Sequence, residues 1–426
     1  MPPAGDPARR GPALRLYLAA SRVIPLVAPA VLRRRLARGK EDPQRWQEKL
    51  GRPTMPRPDG PLVWLHAVGL GEVLALRGLI AAVARQRDGL SFLITSTARS
   101  SAGVVAANLP PRTSHQFLPL DAPRYLAPFL DHWRPDLAIW SEQDLWPGAV
   151  AAAQARGIPL AYVNVRITAE SARRRAFAAA VYRDTLSCFA LIAAQEEGTA
   201  ARLRSLGAGE VRVTGSLKSA APPLAADPDS LDRLRALLAG RRPWVAASTH
   251  PGDEEAAIAA AVALRDDPAD LLILVPRDPG RADAIAARLG KAGLQSARRS
   301  AGEVPASDTR VWLADTYGEL GLWYRLADRA LIGGGFDAIG GHNPWEAACL
   351  DTAILHGPDV ANFAADYAAL HAAGAAREVR SDGLATALEA EDLPALAARA
   401  RALVEGARGA LDPLAVDLLA LMDPPG

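Results

Sequence analysis

The chain of 426 residues reads as an α/β protein built from two doubly wound, Rossmann-like domains facing a cleft. Three observations predict this. From residue 60 onward, short Val/Ile/Leu-rich runs with little alternation are separated by helical stretches of ten or more residues, the rhythm of parallel strands buried on both faces. That rhythm pauses once, at Lys218–Ser230 (KSAAPPLAADPDS), which is rich in Pro and Ala and lacks apolar periodicity. The charge divides at the same place: residues 1–222 carry 30 Lys+Arg against 17 Asp+Glu, and residues 223–426 carry 19 against 30. The basic half is therefore suited to an anionic surface or substrate, or to its own acidic partner domain. It lacks interleaved aromatics and any binding motif, so nucleic acid is not expected. Two cysteines, Cys188 and Cys349, exclude a disulfide framework and a Cys-built zinc site.

Residues 1–50 hold 11 basic and 4 acidic side chains. Leu14–Leu32 is mostly apolar but interrupted by Arg15, Arg22, Pro25 and Pro29, and Arg33, Arg34, Arg35, Arg38 and Lys40 follow. The uninterrupted part, Val23–Leu32, falls short of the roughly 20 residues of a membrane span. An apolar helix followed by cations fits a segment lying on an anionic leaflet; a terminal helix packed on its own domain fits the same pattern. Strands are expected at Leu62–His66, Phe92–Ser96, Leu137–Trp140, Leu160–Val163, Leu191–Ala194 and Val211–Thr214, then at Trp244–Ala247, Leu271–Val275, Val311–Ala314, Ala330–Ile332 and Ala353–Leu355. Helices are expected between them, as at Val73–Arg87 and Ala256–Arg265.

Ligands of open α/β sheets sit past the carboxyl ends of the strands, where helix N-termini point. The polar residues concentrate there. After the first strand, HAVGLGEV places Gly69 and Gly71 in a tight turn and Glu72 in the next helix's first turn, where the dipole favours a carboxylate. Such a carboxylate suits a general base, or only complements the dipole. Leu74 stands where a dinucleotide fingerprint needs its third glycine, which argues against NAD. Glu142 and Asp144 follow Leu137–Trp140; Asn164, Arg166 and Ser171 follow Leu160–Val163; Lys218 ends GSLK at the junction. Each alone is an ordinary cap, ion pair or solvated charge. Together they line one rim.

The second half reads as an anion and ribose site. Ser248 or Thr249 is placed to cap the helix of STHPGDEE. Arg277, after Pro276, stands where a phosphate would lie on backbone N–H groups. DTYGEL follows Val311–Ala314. In GGGFDAIGGHNPWEA, glycines including Gly334 and Gly335 let the backbone approach a ligand. Asn343 is the expected N-cap, Pro344 the first helical residue and Glu346 the third, capping its helix or also holding ribose hydroxyls. His250/Glu254 and His342/Glu346 have i,i+4 spacing without a third ligand, so neither metal nor cofactor is expected.

The ordered run HAVGLGEV, FLPLDAP, EQDLWP, NVRITAES, AQEEGTAARLRSLG, GSLK, STHPGDEE, PRDPGR, DTYGEL and GGHNPWEAA resembles the 3-deoxy-D-manno-octulosonic acid (Kdo) transferases of lipopolysaccharide synthesis. The resemblance implies a GT-B fold with an N-terminal membrane-attachment segment (1–44), an acceptor-binding domain (45–222) and a donor-binding domain (223–426) whose final helix can cross back. It implies an inverting transfer of Kdo from CMP-Kdo to a hydroxyl of an anionic lipid A precursor at the cytoplasmic face of the bacterial inner membrane, with peripheral or single-anchor attachment. By resemblance Glu72 is the general base and Glu142 and Lys218 stabilise the transition state. Pro276, Arg277, Tyr317, Gly318, Glu319, Asn343, Pro344, Trp345 and Glu346 match the CMP-binding segments. The sequence departs from the family pattern at Gly69, Ser216, Asp278 and Gly335. Competing readings are a GT-B enzyme with another nucleotide-sugar donor, and a catalytically inactive membrane-associated binding protein.

Overall fold

The computed structural model describes residues 11–423 apart from 69, 98–108, 143–144, 177 and 221. Two compact units emerge: residues 1–221 with 407–426, and residues 222–406.

The first unit is a seven-stranded parallel sheet in the order β3-β2-β1-β4-β5-β6-β7. Its strands are β1 (Leu62–His66), β2 (Ser91–Ser96), β3 (Thr113–Phe117), β4 (Leu137–Ser141), β5 (Leu160–Val165), β6 (Leu191–Ala194) and β7 (Arg212–Val213). Both faces are covered. Along β1, Val63 and Leu65 join one apolar core while Leu62 and Trp64 join the other. That two-sided burial is why the strand reads as an unbroken apolar run. The chain reverses its winding between β1 and β4, so the crevice at their carboxyl ends is the ligand position of such a sheet. The end of the long helix Leu393–Ala420 returns to this unit and buries Leu411, Leu414, Ala415 and Leu418 in its core.

The second unit repeats the plan with the order β10-β11-β9-β8-β12-β13-β14. Its strands are β8 (Arg242–Thr249), β9 (Asp270–Pro276), β10 (Ser296–Arg298), β11 (Val311–Leu313), β12 (Arg329–Ile332), β13 (Ala353–His356) and β14 (Ala376–Glu378). Val245 and Ala247 face one core, Trp244 and Ala246 the other. The switch point lies between β8 and β12.

Every expected strand is present, but β3, β10 and β14 were not expected. All three lie at or next to a sheet edge and are short or polar; TSHQF buries only its last three residues. An apolar run marks a strand covered on both faces, which these are not.

At the N-terminus, helices Pro12–Ala20 and Ile24–Ala37 are joined by the turn Ser21–Val23. The prolines interrupt less than expected: Pro25 occupies the second helix's first turn, and Pro29 is carried inside it. Pro12–Ala37 is thus a 26-residue helical stretch long and apolar enough, by length and composition, to cross a membrane. Its first helix is tied to the unit. Leu14 N–H donates to the Asp184 carboxylate (3.1 Å) and Tyr17 O–H to Asp121 (2.6 Å), while Leu14 is fully buried. Asp121 also accepts the N–H groups of Gly148 (2.9 Å) and Ala149 (2.7 Å), at the start of helix Pro147–Gln154.

Candidate active site

In the first unit the switch point carries the expected carboxylates. Glu72 lies with Gly71 in the first turn of helix Leu70–Gln86, directly after β1. It is part-buried, and its carboxylate accepts the Val68 N–H (2.9 Å), which holds the turn before the helix. Gly69 and Asp144 lie outside the described residues.

Glu142 follows β4. It is buried, and its backbone sits in the left-handed region at φ 61°. A non-glycine residue there costs about 1–3 kcal/mol and needs surrounding contacts to hold it. Those contacts are present: the Tyr162 hydroxyl donates to the Glu142 carbonyl (2.6 Å), and Glu142 N–H to the Val163 carbonyl (3.3 Å). The side chain is then aimed at Lys218, whose Nζ lies 3.0 Å from Oε1. Asn164 Nδ2 donates to the same oxygen (3.3 Å). Asn164 is also left-handed, at φ 55°, where the β5–β6 register shifts between Tyr162 and Val165. Its side-chain oxygen accepts from Leu217 N–H (3.0 Å) and Gln195 Nε2 (2.9 Å), so one amide places both the carboxylate and the segment that carries Lys218. Arg166, just past β5, is part-buried.

In the second unit the rim is built differently. Ser248 is left-handed (φ 57°) where the β8–β9 register shifts between Ala247 and Thr249, the same device used at Asn164. The expected cap by Ser248 or Thr249 is corrected by the structure: His250 occupies the N-cap of helix Pro251–Ala263, and the Thr249 hydroxyl turns inward to the Val275 carbonyl (3.5 Å). The bulge shifts the helix start by one residue. Asp253, which sequence reading overlooked, is the organising group. It is fully buried and accepts N–H groups from His250 (2.9 Å), Gly334 (2.6 Å), Gly335 (3.2 Å) and Phe336 (3.2 Å). Burial raises its pKa, and these N–H groups oppose the rise. Its signal in STHPGDEE was a carboxylate at the third helical position.

The glycine run serves the protein first. A Cβ at Gly333 would lie 2.6 Å from the Ser248 carbonyl, and one at Gly335 would lie 2.7 Å from Gly357 N. Close approach at these two positions is to backbone of the same unit. Gly334, at φ 80°, makes the turn between them. The helix that follows is the single turn Trp345–Ala348, with Pro344 as N-cap. It begins later than expected, so Glu346 is its second residue. Asn343 still caps, its Oδ1 accepting Trp345 N–H (3.1 Å), while its Nδ2 donates to Glu346 (3.3 Å). Burial pushes the Glu346 carboxyl up to about 7, against the lowering pull of Asn343 and the Arg277 charge. His342 stacks on His250 with ring nitrogens 3.0 Å apart. Burial, His250 and Arg277 bring His342 down to about 4. Arg277 is exposed and its N–H is held by the Thr249 carbonyl (3.0 Å); Pro276 before it is buried. Arg277, His342, Asn343 and Glu346 thus share one neighbourhood.

Tyr317, Gly318 and Glu319 follow β11, two strands from β8. Tyr317 is 71% exposed and Gly318 turns the chain at φ 84°. The Glu319 carboxylate is engaged by Arg299 (2.7 Å) and the Thr316 hydroxyl. Burial would raise its pKa, but these bonds outweigh it and hold it low. Asp278 caps its own turn through Gly280 N–H (2.9 Å). Glu254 pairs with Arg281 (2.7 Å) and Arg288 (3.2 Å), away from a shared site with His250.

Residues 44–221 match the family described as 3-deoxy-D-manno-octulosonic-acid transferase (kdotransferase). The 3-deoxy-D-manno-octulosonic acid transferase of Bordetella pertussis is 37% identical over 367 residues, 83% of this chain and 84% of that protein. The probable mitochondrial 3-deoxy-D-manno-octulosonic acid transferase of Arabidopsis thaliana is 35% identical over 82% of this chain and 80% of its own. In fold, the UDP-GlcNAc 2-epimerase of Neisseria meningitidis aligns over 85% of this chain and all of that one, with TM-score 0.57 at 12% identity, and shares the paired Rossmann-like sheets of the GT-B type. Identity at this level over most of both chains means that the chain belongs to the 3-deoxy-D-manno-octulosonic acid transferase family and is a glycosyltransferase.

Proposed function

We propose that the enzyme transfers Kdo from CMP-Kdo to a hydroxyl of a phosphorylated lipid A precursor, with inversion, at the cytoplasmic face of the inner membrane. The observation that carries this reading is the Glu142–Lys218 pair, held by Asn164 on strained backbone at the switch point that also bears Glu72. Glu72 takes the proton of the acceptor hydroxyl, whose oxygen attacks the anomeric carbon of Kdo. The bond from that carbon to the CMP phosphate breaks, and its electron pair leaves on the phosphate oxygen. The sugar passes through a cationic state and the phosphate gains charge. A neutral ion pair offers a pole to each: the Glu142 carboxylate to the cation, the Lys218 ammonium to the developing anion. Arg277 and the nearby helix starts suit the cytidylate phosphate. Asn343 and Glu346 suit the ribose hydroxyls, and Tyr317–Glu319 suit the remainder of the nucleotide. The basic charge of residues 1–222 suits an anionic acceptor.

Product mass after incubation with lipid A precursor and CMP-Kdo tests the reaction. Glu72→Ala should abolish transfer while CMP still binds; transfer retained in that variant overturns the base assignment. Turnover with UDP-sugars and none with CMP-Kdo overturns the donor.

A further inference from the structure

We propose that a groove on the first unit binds the phosphate of an anionic membrane phospholipid headgroup. It lies among helix Ile24–Ala37, the turn Trp46–Leu50 and the start of helix Pro123–Trp133, with a volume of about 520 Å³. The proposal goes beyond sugar transfer and rests only on the membrane-surface location in the reading above. Arg33, Arg52 and Arg124 line the groove, with Trp46, Pro25 and Pro29 as apolar wall. All three arginines are exposed, and among the described residues none meets a carboxylate. Arg52 donates only to the neutral Gln47 amide (2.9 Å). Neighbouring cations are treated otherwise: Arg35 and Lys49 share buried Glu41, and Arg45 grips buried Glu48. Arg34, Arg38 and Lys40 of the same segment are also exposed, but only Arg33, Arg52 and Arg124 converge on the groove.

The groove is also preformed. Gly51, at φ 74°, packs so closely on the start of helix Pro123–Trp133 that a Cβ there would lie 2.1 Å from the Tyr125 carbonyl. Glu48 accepts Phe117 N–H (2.8 Å), which fixes the turn to the end of β3. Along helix Ile24–Ala37, Leu26, Val27 and Val31 are exposed, Leu26 at 80%, as is Val23 in the turn just before it. Apolar side chains that enter a leaflet bring the groove to headgroup depth. Forked guanidiniums match phosphate oxygens, and a headgroup without a compensating ammonium leaves that match unopposed.

Sedimentation of the full-length protein with phosphatidylglycerol or phosphatidylcholine vesicles tests this. R33Q/R52Q/R124Q is compared with R34Q/R38Q/K40Q, which removes three exposed cations of the same segment outside the groove. Diffuse attraction weighs each cation alike, so it predicts equal losses. A phosphate site predicts that the groove variant loses roughly tenfold more phosphatidylglycerol binding than the control variant. Equal losses, wild-type binding by the groove variant, or no preference of the wild-type protein for phosphatidylglycerol overturns the proposal. If the glutamine variant does not fold, R33K/R52K/R124K replaces it: weakened binding at equal charge supports the site, and unchanged binding overturns it. Glu72→Ala protein is measured alongside. Vesicle binding by wild-type protein that shows no sugar transfer would strike the transferase reading and leave this one standing.

Discussion

The two sheets of this enzyme share a plan and diverge at the rim. In the first unit the groups at the switch point are charged side chains, Glu72, Glu142 and Lys218, held by hydrogen bonds, by the Glu142–Lys218 pair and, at Glu142, by left-handed backbone. In the second, the rim is mostly backbone: a glycine turn whose N–H groups converge on one buried carboxylate, Asp253. Each unit uses a left-handed residue at a strand-end register shift, Asn164 in one and Ser248 in the other, to re-aim the chain beyond the strand. The difference fits the division of work proposed above. Proton transfer and charge stabilisation need ionised side chains, whereas grip on a nucleotide is served by fixed dipoles and shape.

The comparison breaks most visibly at Glu72. Glu72→Ala should lower the transfer rate by roughly 10²–10⁴-fold, the range of a lost general base, with CMP binding unchanged by calorimetry. A fall in CMP binding of equal size would dissolve the division between the units. Next, Lys218→Met should destabilise by about 3 kcal/mol in urea unfolding, because Glu142 would be left charged and buried. The double variant with Glu142→Gln should recover part of that loss, and no recovery would show that the pair acts independently. Asp253→Asn should cost on the order of 2 kcal/mol and weaken CMP binding with little change in the turnover of bound donor. A drop in turnover alone would place Asp253 with the chemistry instead.

The last effect concerns pH. The Glu346 carboxyl titrates at about 7 in the folded protein, above its ordinary value of 4.5. Between those two values the folded state holds a proton that the unfolded state has released, so raising the pH through this window removes stability. Glu346→Gln lacks this slope. Its melting temperature relative to wild type should therefore rise from pH 5 to pH 8, by the equivalent of about 2–3 kcal/mol. A constant difference across that range would mean that the carboxyl is solvated.

The interior strands were legible because each has a local cause. β1 and β8 are covered on both faces and so are apolar throughout. Glu142 and Lys218 drew notice only together with the other polar residues that follow the strands of the first unit. Three edge strands, β3, β10 and β14, escaped notice because their burial is partial, as in TSHQF. The glycine run was legible as a turn, but not for the backbone it touches, since Gly333 and Gly335 meet Ser248 and Gly357 from distant parts of the chain. His250 as N-cap, in place of Ser248 or Thr249, depends on a bulge that only pairing with β9 creates.

By itself, then, the sequence determined the α/β rhythm, the break after Lys218, the strand ends where polar residues gather and the membership of the transferase family, because periodicity, composition and ordered motifs are properties of the chain alone. Only the tertiary structure decided that Asn164 positions both Glu142 and the Lys218 segment, that Asp253 gathers the glycine turn, and that Arg33, Arg52 and Arg124 line one groove. Those facts depend on which distant residues packing brings within hydrogen-bond reach and which charges it leaves unpaired.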